Sequence, residues 1–169
     1  DKGFSLEAKY WLALCKWRDL KPKPAINDLE NLLSDVESDE FKSRIFLSLG
    51  EIYLSIDNSE LAFDNFDKGA NLSKNRLLRE QVYFQIAEIS FKKIDYDKAL
   101  ESYQKVLNNT VSITRIQDSN LKMVQIYRLR GELEKSASKI QELIIDEDFT
   151  SIKSDLDLEL TKIEFDRGK

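Results

Sequence analysis

Histidine is absent from this 169-residue chain, which also has a single cysteine, Cys15, two prolines and five glycines. Without imidazole, the commonest general base and the commonest zinc ligand are both missing, so hydrolase triads and histidine-containing metal sites cannot be assembled here. A lone thiol makes no internal disulfide, which excludes a disulfide-stapled scaffold. No apolar run approaches the roughly 20 residues that span a bilayer, and the start shows no charged leader followed by an apolar core. Direct membrane insertion by this segment is not expected. The first residue is Asp1 rather than Met, so an upstream signal or lipid anchor stays open. Basic blocks are missing too: 26 Lys and Arg are mixed along the chain with 31 Asp and Glu, for a formal charge of -5. Such a surface is poorly made for neutralising a phosphate backbone. No nucleic acid, no cofactor, no metal site and no catalytic residue are expected.

What is present is an all-α composition, with 41% apolar and 34% charged residues, rich in Leu, Ile, Lys and Glu. A constant step runs through it: Ala25, Ala62, Ala99 and Ser136 are each 37 residues apart, the mark of a repeat. Twelve residues before each stand Ala13, Gly50, Ala87 and Val124, preceded by Leu12, Leu49, Ile86 and Met123. Four residues after each stand Leu29, Phe66, Tyr103 and Ile140, followed at four more by Leu33, Ala70, Leu107 and Ile144. Spacings of four and eight place these on one helix face. Each repeat therefore reads as two amphipathic helices of about 14 residues joined by a short polar turn. In the second repeat they are predicted at about 43–55 and 59–72, with Asp57 and Asn58 between. The other turns are predicted at Lys21–Pro24, Lys93–Asp95 and Arg130–Glu132, with Pro24 in the first turn of a helix and Gly131 at a left-handed helix end. Small residues let two helices cross closely, and Ala62 opposite Gly50 is the clearest such pair. The repeats fall at about 6–42, 43–79, 80–116 and 117–153, and 154–169 forms a terminal helix or the start of a fifth repeat.

This pattern resembles the tetratricopeptide repeat. In the second repeat Phe46, Leu49, Gly50, Tyr53, Ala62 and Phe66 occupy that family's six places in order, and the third offers Tyr83, Ile86, Ala87, Ala99 and Tyr103. Lys9 and Asn120 depart from the first aromatic, Lys16 and Ser90 from the tyrosine, and Ile94 from the turn glycine. The resemblance implies a right-handed α-solenoid of antiparallel helix pairs, about four repeats plus a terminal helix, that acts as a protein-protein interaction scaffold. The usual repeat has 34 residues, so each link is expected to be three longer. That step and the opening Tyr10-Trp11-Leu12-Ala13 also resemble envelope proteins akin to outer-membrane-assembly lipoproteins and periplasmic coordinators of cell constriction. They imply a bacterial periplasmic or outer-membrane-associated place, with the cytoplasm as the alternative.

In this family the first helices line the concave side, which puts the fifth and twelfth positions of each repeat in the groove. Here they read Tyr10, Trp17, Leu47, Leu54, Phe84, Phe91 and Leu121, with Arg128 breaking the apolar series. Aromatic anchors supply much of the energy at interfaces, so a protein or peptide partner is expected there, although a stripe at this spacing also serves packing. Around it lie Arg44, Glu51, Gln81, Glu88 and Lys92, together with Glu7, Trp11, Asp118 and Lys122. Their signs alternate, so no ligand charge follows, and the Lys, Asn and Arg set with which one family variant clamps a terminal carboxylate is missing.

The acidic runs Asp35–Glu40 and Asp146–Asp148 lack the turn glycine of a calcium loop and sit at bends rather than across a cleft. Cys15, at a place where the repeat usually has alanine, is expected to be buried. Trp11 and Trp17 are expected to cover a preceding repeat, with contact to a partner as the alternative. Leu156, Leu158, Leu160, Ile163 and Phe165 form an apolar set, and Gly168 falls 37 residues after Gly131, so a longer array is expected; the acidic segment 151–169 is alternatively a cap. Two other functions compete with the scaffold: a substrate-recruiting segment of a larger enzyme, and a module that self-associates through open repeat ends.

Overall fold

The computed structural model describes residues 5–168; Lys169, the last residue of the expected terminal helix, lies outside them. Among the described residues there are nine α-helices and no strand: α1 (Leu6–Arg18), α2 (Pro22–Asp35), α3 (Asp39–Ser55), α4 (Ser59–Leu72), α5 (Arg76–Lys92), α6 (Tyr96–Asn109), α7 (Ile113–Leu129), α8 (Leu133–Ile144) and α9 (Lys153–Arg167), with a 3-10 helix at Glu147–Ile152 before α9.

The 37-residue step is visible in the helix boundaries. A first helix of 17 residues, a three-residue link, a second helix of 14 and another three-residue link make up each interior repeat. The links are therefore short, and the length beyond the common repeat lies inside the first helices, contrary to the sequence expectation. In α3 the helix starts four residues before the predicted 43 because Ser38 accepts a hydrogen bond from the Phe41 N–H and Asp39 and Glu40 fill the first turn. Acidic side chains there complement the positive end of the helix dipole, which also accounts for the Asp35–Glu40 run. Asp146 similarly caps the 3-10 helix.

The turn between first and second helices is built four times in the same way. Leu20, Asp57, Ile94 and Gly131, spaced by 37, have φ of +60°, +58°, +63° and +76°. Asn58 and Asp95 then cap α4 and α6 through their side chains. In the first repeat the turn is earlier than predicted, since Pro22 rather than Pro24 opens α2; proline loses no needed hydrogen bond there.

The chain divides into two compact halves, 1–82 and 83–169. In the N-terminal half, α3 packs on both α2 and α4. Ala13, Ala25, Leu29, Leu32, Ile45, Leu49 and Ile52 form a buried cluster with Phe46 and Tyr53 against it. The residue that lies on Gly50 is Phe66: a Cβ placed on Gly50 would stand 2.5 Å from two of its ring carbons. In the C-terminal half, Ala87, Ala99, Tyr103, Met123 and Ile126 join α5, α6 and α7, and Val124, Ile140, Leu143, Phe149, Leu156 and Ile163 join α7, α8, the 3-10 helix and α9. Where the alanine of earlier repeats becomes Ser136, its buried hydroxyl donates to the Val124 carbonyl at 2.9 Å, so the polar atom is satisfied.

The expected burial of Cys15 on α1 fails, and Leu12 is open for the same reason. Cys15 and Leu12 are exposed, although Ile52 and Leu49, the residues 37 further on, are buried against α1 and α2. Burial at these places comes from a helix pair lying over the face, and no described residue lies over that face of α1. Lys9 and Lys16, which stand where Phe46 and Tyr53 stand in α3, instead bridge to α2, pairing with Asp35 at 3.6 Å and Asp28 at 2.5 Å.

Candidate protein-binding surface

The first helices carry the residues named for the groove, and each half places them differently. In the N-terminal half Tyr10 is buried. Its hydroxyl shares a hydrogen bond of 2.9 Å with Ser48 Oγ on α3, and its ring meets Phe41 edge-on at 5.7 Å. The Arg44 guanidinium lies 4.6 Å from the Phe41 centroid and 5.5 Å from that of Tyr10 while pairing with Glu7. Tyr10 and Arg44 thus join α1 to α3. Trp17 also packs forward, donating from Nε1 to Ser55 Oγ at 3.2 Å. Leu47 is half-buried over Gly69 of α4, where a Cβ would stand 2.8 Å from its Cδ2. Leu54 is half-buried, and Glu51 and Gln81 are exposed.

The C-terminal half keeps aromatic faces at the surface but lays cations on them. Phe84 and Phe91 of α5 are half-buried. The Arg115 guanidinium carbon stands 3.8 Å above the Phe84 ring and Lys122 Nζ 4.6 Å above Phe91, a favourable electrostatic contact with the ring quadrupole. Both cations come from α7, so these pairs join neighbouring first helices. Between the two rings, Glu88 accepts a hydrogen bond from the Tyr103 hydroxyl at 2.5 Å. Burial first, and the Glu88 carboxylate second, push the Tyr103 phenol well above its ordinary range. Lys92 is exposed, and Leu121 packs partly into the core with α8 and α9.

Arg128 breaks the apolar series because it is tied to α9. Its Nε donates to Glu159 at 2.9 Å and its Nη1 to Asp166 at 3.3 Å. Glu159 is buried and also accepts from Lys162 at 2.7 Å. Burial alone raises such a carboxyl, yet the hydrogen bonds from Lys162 and Arg128 outweigh it and hold Glu159 below the usual range. Arg128 responds oppositely: burial opposes its charge, and Glu159 and Asp166 raise it.

The sequence list omitted Leu158 and Phe165, which continue the fifth and twelfth positions 37 residues after Leu121 and Arg128. They are 52% and 67% exposed, more open than the half-buried Leu47, Leu54, Phe84, Phe91 and Leu121 of the same series. One further step along the repeat would have found them. No group of His, Cys, Asp and Glu among the described residues could hold a metal ion, and no described helix is long and apolar enough to cross a membrane.

A family model for the tetratricopeptide repeat matches residues 81–109, which cover most of the first helix and the whole second helix of the third repeat. No curated protein matches the sequence. Among solved structures, the apo form of RapI aligns over 98% of this chain and 65% of its own, with a TM-score of 0.63 and 16% identity. The C-terminal part of a tetratricopeptide-repeat-containing protein from Cytophaga hutchinsonii aligns over 90% of this chain and 57% of its own, with a TM-score of 0.60 and 20% identity. MamA aligns over 94% of this chain and 89% of its own, with a TM-score of 0.58 and 16% identity. The chain thus spans less than two thirds of the length of the first two. At these identities the likeness is one of fold.

Proposed function

We propose that this chain, a tetratricopeptide-repeat protein by its fold and by its third repeat, holds a protein or peptide partner against the first helices of its C-terminal half. Repeats of this kind generally mediate protein-protein interaction, and the fold is typically a non-catalytic module. One observation carries the finer reading: Phe84 and Leu158 stand at the fifth position of their repeats, Phe91 and Phe165 at the twelfth, and all keep ring or aliphatic surface open to solvent. Aromatic groups that are only half covered in the free protein can bury their remaining area on a partner at little entropic cost. In the N-terminal half, by contrast, the aromatic Tyr10 is buried.

The test is capture of a partner from extract by the wild-type chain and by a Phe84→Ala/Phe91→Ala variant with unchanged helicity. The reading requires loss of the captured protein, and undiminished capture defeats it. A second reading, self-association through α9, is favoured by the exposure of Leu158 and Phe165. It predicts a sedimentation coefficient that rises with concentration and ceases to do so in Phe165→Asp. The 37-residue step and the Tyr10-Trp11-Leu12-Ala13 opening support a place in a multi-protein envelope assembly.

A further inference from the structure

Neighbouring first helices meet one another in a repeated way. Side chains at the fifth and twelfth positions of one helix reach the places of Trp11 and Arg18 on the next. Tyr10 meets Ser48 and Trp17 meets Ser55; Phe91 lies under Lys122; Arg128 pairs with Glu159 and Asp166. Steps of 37 residues carry Trp11 to Ser48, Lys122 and Glu159, and Arg18 to Ser55 and Asp166. Two faces of this kind are open. On α9 the reaching side chains, Leu158 and Phe165, are 52% and 67% exposed, and on α1 the receiving Trp11 is 57% exposed, with Leu12 open beside it. Arg18 and Cys15 are exposed as well, whereas Leu49 and Ile52, the counterparts of Leu12 and Cys15, are buried where α3 meets α1 and α2.

Charge decides which occupant suits the two faces. α1 carries one acid, Glu7, against Lys9, Lys16 and Arg18, and α9 carries five acids against three bases. Lys9 and Lys16 face the second helix of their own repeat, bridging to Asp35 and Asp28 while staying partly exposed. The same two places on α9 hold Asp157 and Glu164, both exposed. The place of Lys16 also leans toward the second helix of the repeat before, since in α3 that place is Tyr53, whose hydroxyl donates to Glu30 of α2. An α1 laid on α9 in this register brings Lys9 and Lys16 toward Asp157 and Glu164, opposite signs that steer approach and fix the pairing. Trp11 then covers Leu158 and Phe165, and Arg18 reaches the Phe165 ring as Lys122 reaches Phe91. Asp155 and Glu7 form a like-charge pair in this arrangement, but Glu7 is already paired with Arg44. Two α9 faces laid on each other would instead oppose acid with acid, which favours a different surface of a second copy.

We propose that α9 of one copy docks on α1 of a second copy, head to tail, repeating between molecules the contact that first helices make within one. The inference rests on the self-association reading above and adds the surface that receives α9. Sedimentation velocity over a range of concentrations compares wild type, Trp11→Asp, Phe165→Asp and an equimolar mixture of the two variants. Both replaced side chains are more than half exposed, so each variant keeps its helicity. The wild-type coefficient should rise with concentration. Each variant alone has lost one of the two faces and should associate at least about tenfold more weakly, the loss of an interface anchor. In the mixture, the intact α9 of Trp11→Asp meets the intact α1 of Phe165→Asp, and a dimer that grows no further should form. Asp157→Lys/Glu164→Lys, which leaves both rings in place, should weaken association as well. A mixture no more associated than its components overturns the proposal, as does unaltered association of Asp157→Lys/Glu164→Lys. Trp11→Asp that associates as wild type does also overturns it, while leaving self-association through α9 standing. Phe165→Asp that associates as wild type does, or wild type that stays monomeric at every concentration, defeats both.

Discussion

Gly50→Ala sets two known effects against each other, and the structure decides which wins. Alanine is the better helix former by about 1 kcal/mol, and Gly50 lies inside α3, so local propensity alone favours the substitution. The added Cβ, however, would stand 2.5 Å from Phe66 Cδ1 and Cε1 and 3.0 Å from Cγ. Phe66 is only 1% exposed, so its ring cannot swing into solvent and must press into the core or push α4 away. Overpacking of this kind costs about 1–3 kcal/mol, and a clash with three atoms of a buried ring belongs at the upper end. The net expectation is a loss of about 2 kcal/mol, read as a lower urea midpoint at unchanged slope by circular dichroism. Phe66→Leu removes the offending ring atoms at a cost of its own. In Gly50→Ala/Phe66→Leu the two losses should therefore sum to less than their separate values, by about 1 kcal/mol or more. Gly50→Ala as stable as wild type, or strictly additive losses in the double variant, refutes the close crossing of α3 and α4.

Ala62→Leu should destabilise by about 1–3 kcal/mol for the same reason, since Ala62 is fully buried; an unchanged thermal melt counts against the register of the repeat. Ile94→Gly should stabilise, because a β-branched residue at φ +63° costs about 1–2 kcal/mol, against a smaller entropic penalty for glycine; a lower midpoint shows the turn is not strained. Glu159→Gln should cost about 3 kcal/mol, the lower end for breaking a buried pair, as Arg128 loses its main partner. Because the folded Glu159 carboxyl is held below its ordinary value, its contribution is complete above pH of about 4.3 and drains away as pH falls through the lower folded value. The stability gap between wild type and Glu159→Gln should thus be flat from pH 7 to 5 and shrink below about 4; a gap that persists in strong acid excludes this account.

The sequence by itself determined the helix pairs and the residues at their crossings. Ala25, Ala62, Ala99 and Ser136, with Leu29, Phe66, Tyr103 and Ile140 one turn on, are all buried, because a helix face is set by spacing along one chain segment and needs no knowledge of what lies beside it. Turn geometry was legible in the same way at Gly131, while Leu20 and Ile94 take the same left-handed conformation against their own preference, since the helices on either side dictate it. Tertiary structure alone decided which faces are covered. Cys15 and Ile52 share a place in the repeat, yet one is exposed and the other buried because only the second has a helix pair over it. It also decided which candidate groove residues remain open: Tyr10 is taken by Ser48, Leu47 by Gly69 and Arg128 by Glu159 and Asp166, partners 22 to 38 residues away. Such contacts depend on how each helix is set against its neighbours, a distance and rotation that no periodicity within the chain expresses.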